Sequence, residues 1–224
     1  MSTKTISRES PEMYLKSIYQ LGKDETLVAI SALAAHLGIS PVSATEMIHR
    51  MVSRKLVRHI PYKGVRLTEH GRKQALAVIR RHRLWERFLT DRLGFPWEHV
   101  HDVACRLEHA AGPEVTEALA AELGNPSTCP HGNPIPTADG EMPALEGISL
   151  LELDPGKSAR IEVIQPEDSE VLEHLSSRGI APGVELRVVD IAPLDGPRTL
   201  SISGQQVVIG KEMASCIMVQ PIAI

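Results

Sequence analysis

Residues 28–67, VAISALAAHLGISPVSATEMIHRMVSRKLVRHIPYKGVRL, decide the fold. Leu33, Ala34 and Leu37 recur at helical spacing within 28–37, and Gly38 supplies the stop that such a helix needs. Ser40-Pro41 opens the next helix, a serine that can hold free amides followed by a proline at the first helical position. Its apolar positions Val42, Ala44, Met47, Ile48 and Met51 carry it on through Leu56. Two helices joined across Gly38-Ile39-Ser40 form a helix-turn-helix. The short run 57–60, the turn Pro61-Tyr62-Lys63-Gly64 and the run 65–67 then read as a two-stranded wing.

Working outward, Ser10-Pro11-Glu12-Met13 starts an earlier helix with Tyr14, Leu15, Ile18, Tyr19 and Leu21 on its apolar stripe, ended by a loop at 22–25. Thr68 caps a long helix through Gly71, Ala75, Ile79 and Trp85 to about Leu93, with five arginines between Arg80 and Arg92. Pro96-Trp97 restarts the chain into a helix over 97–111, and 113–123 gives one more before Gly124-Asn125-Pro126. Pro, Gly and Thr crowd 125–147, an irregular connector packed in part through Ile135 and Leu145. Beyond it the texture turns to short β-rich runs: Leu151 with Leu153, 159–164, 183–191, 199–203, 206–209 and 217–220, with one helix at 169–177. The expected class is α+β: an N-terminal winged helix-turn-helix in 1–74, a helical unit with the connector in 75–147, and a small β-barrel in 148–224.

The composition, 42% hydrophobic and 23% charged, is that of an ordinary globular protein, and with only 3% aromatic residues its packing must be aliphatic. No apolar run approaches the ~20 residues a membrane span needs, and the polar segment 1–10 lacks a signal-peptide core, so a cytoplasmic location is expected. Cys105, Cys129 and Cys216, odd in number and far apart, suit free thiols in a reducing compartment better than a disulfide framework. The net charge of -4 conceals an asymmetry: residues 1–92 hold 17 Lys and Arg against 8 Asp and Glu, a surplus of nine positive charges. That end attracts polyanions. Ser40, Ser43, Thr45, Glu46 and Arg50 fall away from the second helix's apolar stripe and suit base edges and phosphates, with Ser10 also assigned to the DNA face. Lys63 and Arg66 on the wing, with Arg54, Lys55 and Arg58, suit phosphate. A winged-helix protein-interaction module with a solvated basic face remains the alternative.

His101, Cys105, Glu108 and His109 stand at i, i+4, i+7 and i+8, which places four ligand-type side chains on one helix face. His82 and Glu86 add an i, i+4 pair on the long helix. Imidazole, thiolate and carboxylate together suit a first-row divalent ion and are softer than magnesium or calcium would select. One His or Glu on a helix is usually only solvated, as we read His36 and His99; the joint spacing carries the signal. Cys129-Pro130-His131 can also ligate, but reads as a stiffened structural turn. A metallohydrolase is the first rival, and it lacks a general base in a Gly-rich or loop-lined cleft. A winged-helix regulator sensing an organic ligand, its metal merely structural, is the second.

These segments resemble the diphtheria toxin repressor family of iron- and manganese-dependent regulators. The resemblance is carried by Pro11-Glu12-Met13-Tyr14-Leu15, Leu67-Thr68-Glu69-His70-Gly71-Arg72, Arg81-His82-Arg83-Leu84-Trp85-Glu86, the run from Val100 to His109, and Cys129-Pro130-His131-Gly132-Asn133-Pro134. Gly179-Ile180-Ala181-Pro182-Gly183 and its flanking strands are similar to the SH3-like domain of iron-dependent members. The resemblance implies a helical dimerisation domain, an SH3-like barrel, and a non-enzymatic repressor of metal homeostasis genes. It implies a homodimer binding double-stranded operator DNA when Fe(II) or Mn(II) is bound, with no membrane and no small organic substrate as partner. By the same resemblance Met13, Cys105, Glu108 and His109 form a primary metal site, and His82, Glu86 and His101 an ancillary one completed by Glu167 and Glu170. Met13 and Cys105 favour iron, extra carboxylate favours manganese, and Co, Ni, Zn and Cd should substitute in vitro. Glu46 stands where similar relatives carry a base-facing Gln.

Overall fold

The computed structural model describes residues 10–22, 26–165 and 167–222; the polar residues 1–9 and the loop residues 23–25 invoked above lie outside them. The chain divides into two compact units. One comprises Met1–His82, Arg106–Glu117 and Pro136–Met142; the other comprises Arg83–Cys105, Ala118–Ile135 and Pro143–Ile224.

In the first unit α1 (Pro11–Leu21) starts at Ser10, whose hydroxyl accepts from the Glu12 amide at 3.3 Å. Helix α2 (Ile30–Leu37) begins two residues later than its periodicity suggests, because Val28 is drawn into the wing. Val28 exchanges backbone hydrogen bonds with Val65 at 2.8 and 2.9 Å. Gly64, at φ +124°, permits that approach: a Cβ there would run into the Val28 carbonyl. Helix α3 (Pro41–Ser53) is capped by Ser40, which accepts from the Ser43 amide at 3.0 Å, and it stops short of the expected Leu56 as Lys55 turns left-handed. Strands β1 (Val57–Ile60) and β2 (Gly64–Leu67) pair antiparallel from Val57↔Leu67 to Ile60↔Gly64. Leu15, Ile18, Leu33, Ile48, Met51 and Val65 form the core, and each such side chain stabilises by roughly 1.5–3 kcal/mol when fully buried.

Thr68 caps α4 (Glu69–Asp91): its hydroxyl accepts from the Gly71 amide at 3.0 Å and donates to the Lys55 carbonyl at 2.7 Å. Helices α4, α5 (Val100–Leu107) and α6 (Pro113–Glu122) each pass from one unit to the other along the chain. In the second unit Leu84, Leu119, Ala120 and Ile135 pack together, flanked by Trp85 and Phe88, whose rings meet edge to face at 5.8 Å. Arg83 donates to the Pro134 carbonyl and Arg92 to that of Glu122, which fastens α4 to the connector and to the end of α6.

Strands β3 (Ile148–Ser149), β4 (Ser158–Ile164), β5 (Glu185–Ile191), β6 (Arg198–Ile202), β7 (Gln205–Ile209) and β8 (Ile217–Ile222) form one antiparallel sheet, in the order β3-β8-β4-β5-β6-β7. Register shifts between Ile161 and Val163 and between Val188 and Asp190 mark bulges, the device that bends a sheet around a small core. Helix α7 (Ser169–Ser176) buries Leu172 and Leu175 in that core. Leu150–Glu152 is a 3-10 turn where the sequence suggests a strand, since Leu150 buries while Ser149 accepts from the Leu151 amide. A short helix α8 (Lys211–Ser215) has no counterpart in the sequence reading. No helix among the described residues is long and apolar enough to cross a membrane.

Candidate metal centres and DNA-reading helix

Helix α5 ends at Leu107, so Glu108 and His109 do not continue the face that carries His101 and Cys105; they lie in the turn that follows. The expected helix over 97–111 is replaced by a 3-10 turn at Trp97–His99 and an eight-residue α-helix. The Ala110 amide bonds the Leu107 carbonyl in a tight turn, and the Glu108 carbonyl accepts from Arg81 Nε at 2.8 Å.

The turn points both side chains into the first unit. Glu108 is fully buried, and its Oε2 accepts from Lys16 Nζ at 2.9 Å and from His82 Nδ1 at 2.6 Å. Burial pushes this carboxyl up, but His82 and Lys16 outweigh it and hold it down at about 2. His109 Nδ1 donates to Glu12 Oε2 at 2.6 Å, and Arg81 holds the other Glu12 oxygen at 2.7 Å. The His109 hydrogen bond, with Arg81 beside it, keeps the Glu12 carboxyl below its usual range despite burial. A neutral imidazole that donates from Nδ1 carries a lone pair on Nε2. His109 Nε2 lies 3.3 Å from Glu108 Oε1, and both atoms are buried without any hydrogen-bond partner. In that tautomer the two atoms are facing acceptors, which repel unless a cation lies between them. Two ligands bonded at ~2.1 Å to a shared tetrahedral or octahedral ion sit roughly 3.0–3.4 Å apart, so this pair fits a first-row metal. The Glu12 carboxylate on the far side of the imidazole is the orienting partner that metal-bound histidines commonly have.

The second unit gathers another donor cluster. His131 donates from Nε2 to the Trp97 carbonyl at 2.9 Å, which turns Nδ1 toward Glu86 Oε1 at 3.5 Å, Cys129 Sγ at 3.7 Å and Glu167 Oε1 at 4.0 Å. Glu86, Cys129, His131 and Glu167 offer ligand atoms that all lie within 4.8 Å of one another. His101 adjoins them, its Nδ1 at 2.8 Å from Glu167 and 3.4 Å from Glu86 and its Nε2 at 3.6 Å from Cys105 Sγ. Burial pushes His101 down, but Cys105, Glu167 and Glu86 outweigh it and raise it to about 12. Burial likewise opposes the charge on His131, and Glu86 and Glu167 raise it overall. Burial drives the Cys129 thiol well up, with both carboxylates adding to the effect. A cation bound there would displace protons from these imidazoles and the thiol. Asn133 donates to Glu167 at 2.6 Å and Gln165 to Asn133, which steadies the carboxylate. Gly132 allows the turn between Cys129 and β4: its φ is +86°, and a Cβ would strike the Glu162 carbonyl.

On α3 the side chains expected to face DNA lie outside the core. Ser40 and Ser43 share a hydroxyl hydrogen bond at 2.9 Å, and Thr45 donates to the Pro41 carbonyl at 2.8 Å. Glu46 and Arg50 are exposed, as is Lys63 on the wing, while Arg66 is half-buried. Ser10 is the cap of α1.

Three domain profiles match this chain in succession: the iron-dependent repressor N-terminal DNA-binding domain over residues 8–65, the iron-dependent repressor metal-binding and dimerisation domain over 68–137, and the FeoA domain over 148–221. The iron-dependent repressor IdeR of Mycobacterium tuberculosis is 32% identical over 96% of this chain and 98% of its own length. The chain belongs to the iron-dependent repressor family. The diphtheria toxin repressor of Corynebacterium efficiens is 33% identical over 96% of each chain. A solved structure described as a manganese-dependent transcriptional repressor in complex with manganese superposes with a TM-score of 0.86 and 34% identity, covering 95% of this chain and all of that one. The protein is thus a metal-dependent transcriptional repressor rather than an enzyme, with the SH3-like FeoA domain at its C-terminal end.

Within this member of the iron-dependent repressor family the expected ligands are distributed unevenly. Glu108 and His109 face each other, and Met13 packs against the first unit's core. Cys105 is engaged with His101, and His82 with Glu108. Glu167 reaches His101, whereas Glu170 is exposed at the start of α7 and belongs to none of the donor groups among the described residues. Lys16 and Glu12 are partners that local spacing does not reveal: Glu12 stands where a helix dipole alone would favour it, and a lysine on the inner side of an amphipathic helix is the available signal for Lys16. Cys129 and His131, read as a stiff turn, are part of a buried donor cluster. Their partners Glu86 and Glu167 lie some forty residues away on either side, so local spacing held no trace of it.

Proposed function

We propose that this repressor binds double-stranded operator DNA as a cytoplasmic homodimer when Fe(II) or Mn(II) is held by Glu108 and His109, with Met13 and Cys105 as further ligands, and so controls metal homeostasis genes. The observation that carries the reading is the pair of buried, unsatisfied acceptors, Glu108 Oε1 and His109 Nε2, 3.3 Å apart. When bound, the ion supplies the positive charge and fixed coordination that this pair lacks. Glu12 orients the imidazole, Arg81 holds both Glu12 and the Glu108 carbonyl, and Lys16 ties α1 to the same carboxylate. These residues link the helix that opens the DNA-binding domain to the turn after α5. A dimer reads DNA only if its two recognition helices sit about one helical turn, ~34 Å, apart, so stiffening this link favours the binding geometry.

Glu86, Cys129, His131 and Glu167, with His101 adjoining, support a second ion. Its thiol and imidazole suit iron or zinc better than manganese. Anaerobic titration of operator binding with Fe(II), Mn(II), Co(II) and Zn(II) tests the reading for wild type, Met13→Ala, Cys105→Ala and His109→Ala. Metal-dependent binding by wild type that weakens in the variants is expected. Equal affinity with a chelator and with excess Fe(II) or Mn(II) would sink the proposal.

A further inference from the structure

Pro41, Val42, Thr45, Glu46 and His49 line one shallow concavity along the outer side of α3. The hydroxyl groups on this face are already engaged: Ser40 with Ser43, and Thr45 with the Pro41 carbonyl. Glu46 differs. It is exposed, and among the described residues no hydrogen bond or ion pair engages its carboxylate. A carboxylate is out of place on a surface that meets DNA, which carries one negative charge per ~1.7 Å of axis. It gains nothing from phosphate and loses hydration as the groove closes over it. Among the bases, only one that donates hydrogen bonds can compensate.

The major-groove edges narrow the choice. Guanine offers acceptors at N7 and O6, and thymine an acceptor at O4, so both repel a carboxylate. Adenine sets its amino donor beside the N7 lone pair, which suits an amide better. Cytosine presents its N4 amino group with no neighbouring acceptor. Val42, one turn earlier on the same face and 69% exposed, adds an apolar surface fitted to the C5 edge of a pyrimidine.

We propose that Glu46 is a specificity-determining residue that selects cytosine at one position of each operator half-site, chiefly by rejecting guanine and thymine. The proposal rests on the operator-binding reading above. Its test is selection from a randomised duplex library by the full-length protein with Mn(II), and in parallel with Fe(II) under anaerobic conditions, for wild type, Glu46→Gln and Glu46→Ala. Wild type should enrich C over every other base by about tenfold or more at one position per half-site. Glu46→Gln should move that preference to A, whose N6 and N7 match an amide, and Glu46→Ala should flatten it, the other positions keeping theirs. An unchanged preference in Glu46→Gln overturns the proposal and leaves operator binding standing. So does loss of preference at all positions by a variant whose thermal melt matches wild type. Failure of wild type to enrich any duplex with either ion overturns the operator reading itself, and this proposal with it.

Discussion

At the scale of single residues, the first candidate metal site is built from groups that finish each other's valences. Glu108 Oε2 is saturated by Lys16 and His82, and His109 Nδ1 by Glu12, so one oxygen and one nitrogen are left directed at a common point. Removing the orienting group should therefore cost metal affinity without removing a ligand. Glu12→Gln is expected to weaken Mn(II) binding by about 10- to 100-fold, read by competition with a fluorescent chelator on protein that is still folded at the assay temperature. If affinity is unaffected, Glu12 does not act through His109. The two clusters should also be separable. His109→Ala and His131→Ala should each lower the Fe(II) content at saturation by about one equivalent per chain, as measured by elemental analysis. Identical content in His131→Ala and wild type argues against the second centre.

At the scale of elements, short turns and caps place the ligands. The Cys129–His131 turn relies on Gly132, whose left-handed backbone and contact with the Glu162 carbonyl exclude any side chain. Gly132→Ala should destabilise the protein by about 1–3 kcal/mol in urea unfolding and lower metal content at the second cluster. Retention of both would mean that β4 yields easily to the extra methyl. Asp168 caps α7 by accepting from the Glu170 and Val171 amides at 3.1 Å, and the adjacent Glu167 enters the donor cluster. Asp168→Ala should cost about 1 kcal/mol. It should also loosen metal binding at that cluster, seen as faster loss of Fe(II) to a chelator. Helix starts were readable in the sequence because Ser10, Ser40 and Thr68 carry cap chemistry locally. The end of α5 was not, because the side chains beyond it, Glu108 and His109, are held by partners distant in the chain, Lys16, His82 and Glu12.

At the scale of the whole molecule, metal and operator must influence one another equally. If Mn(II) tightens operator binding by a factor in the range of about 5 to 150, saturating operator must tighten Mn(II) binding by that same factor, which paired calorimetric titrations measure. A one-sided effect would show that the two events are not linked at equilibrium. The sequence by itself determined the winged helix-turn-helix, the basic end that meets DNA, the β-rich end, and the kinds of atom available to a metal. Those properties follow from periodicity, capping residues and composition, all of which act over a few neighbouring positions. Only the tertiary structure decided which donors meet: that Glu108 and His109 leave the helix of His101 and Cys105, that Lys16 is buried against Glu108, and that Cys129 and His131 join Glu86 and Glu167. The reason is physical. A buried carboxylate or imidazole must be satisfied by whatever polar group the packing brings within about 3 Å, and that partner is chosen by the folded chain in three dimensions rather than by spacing along it.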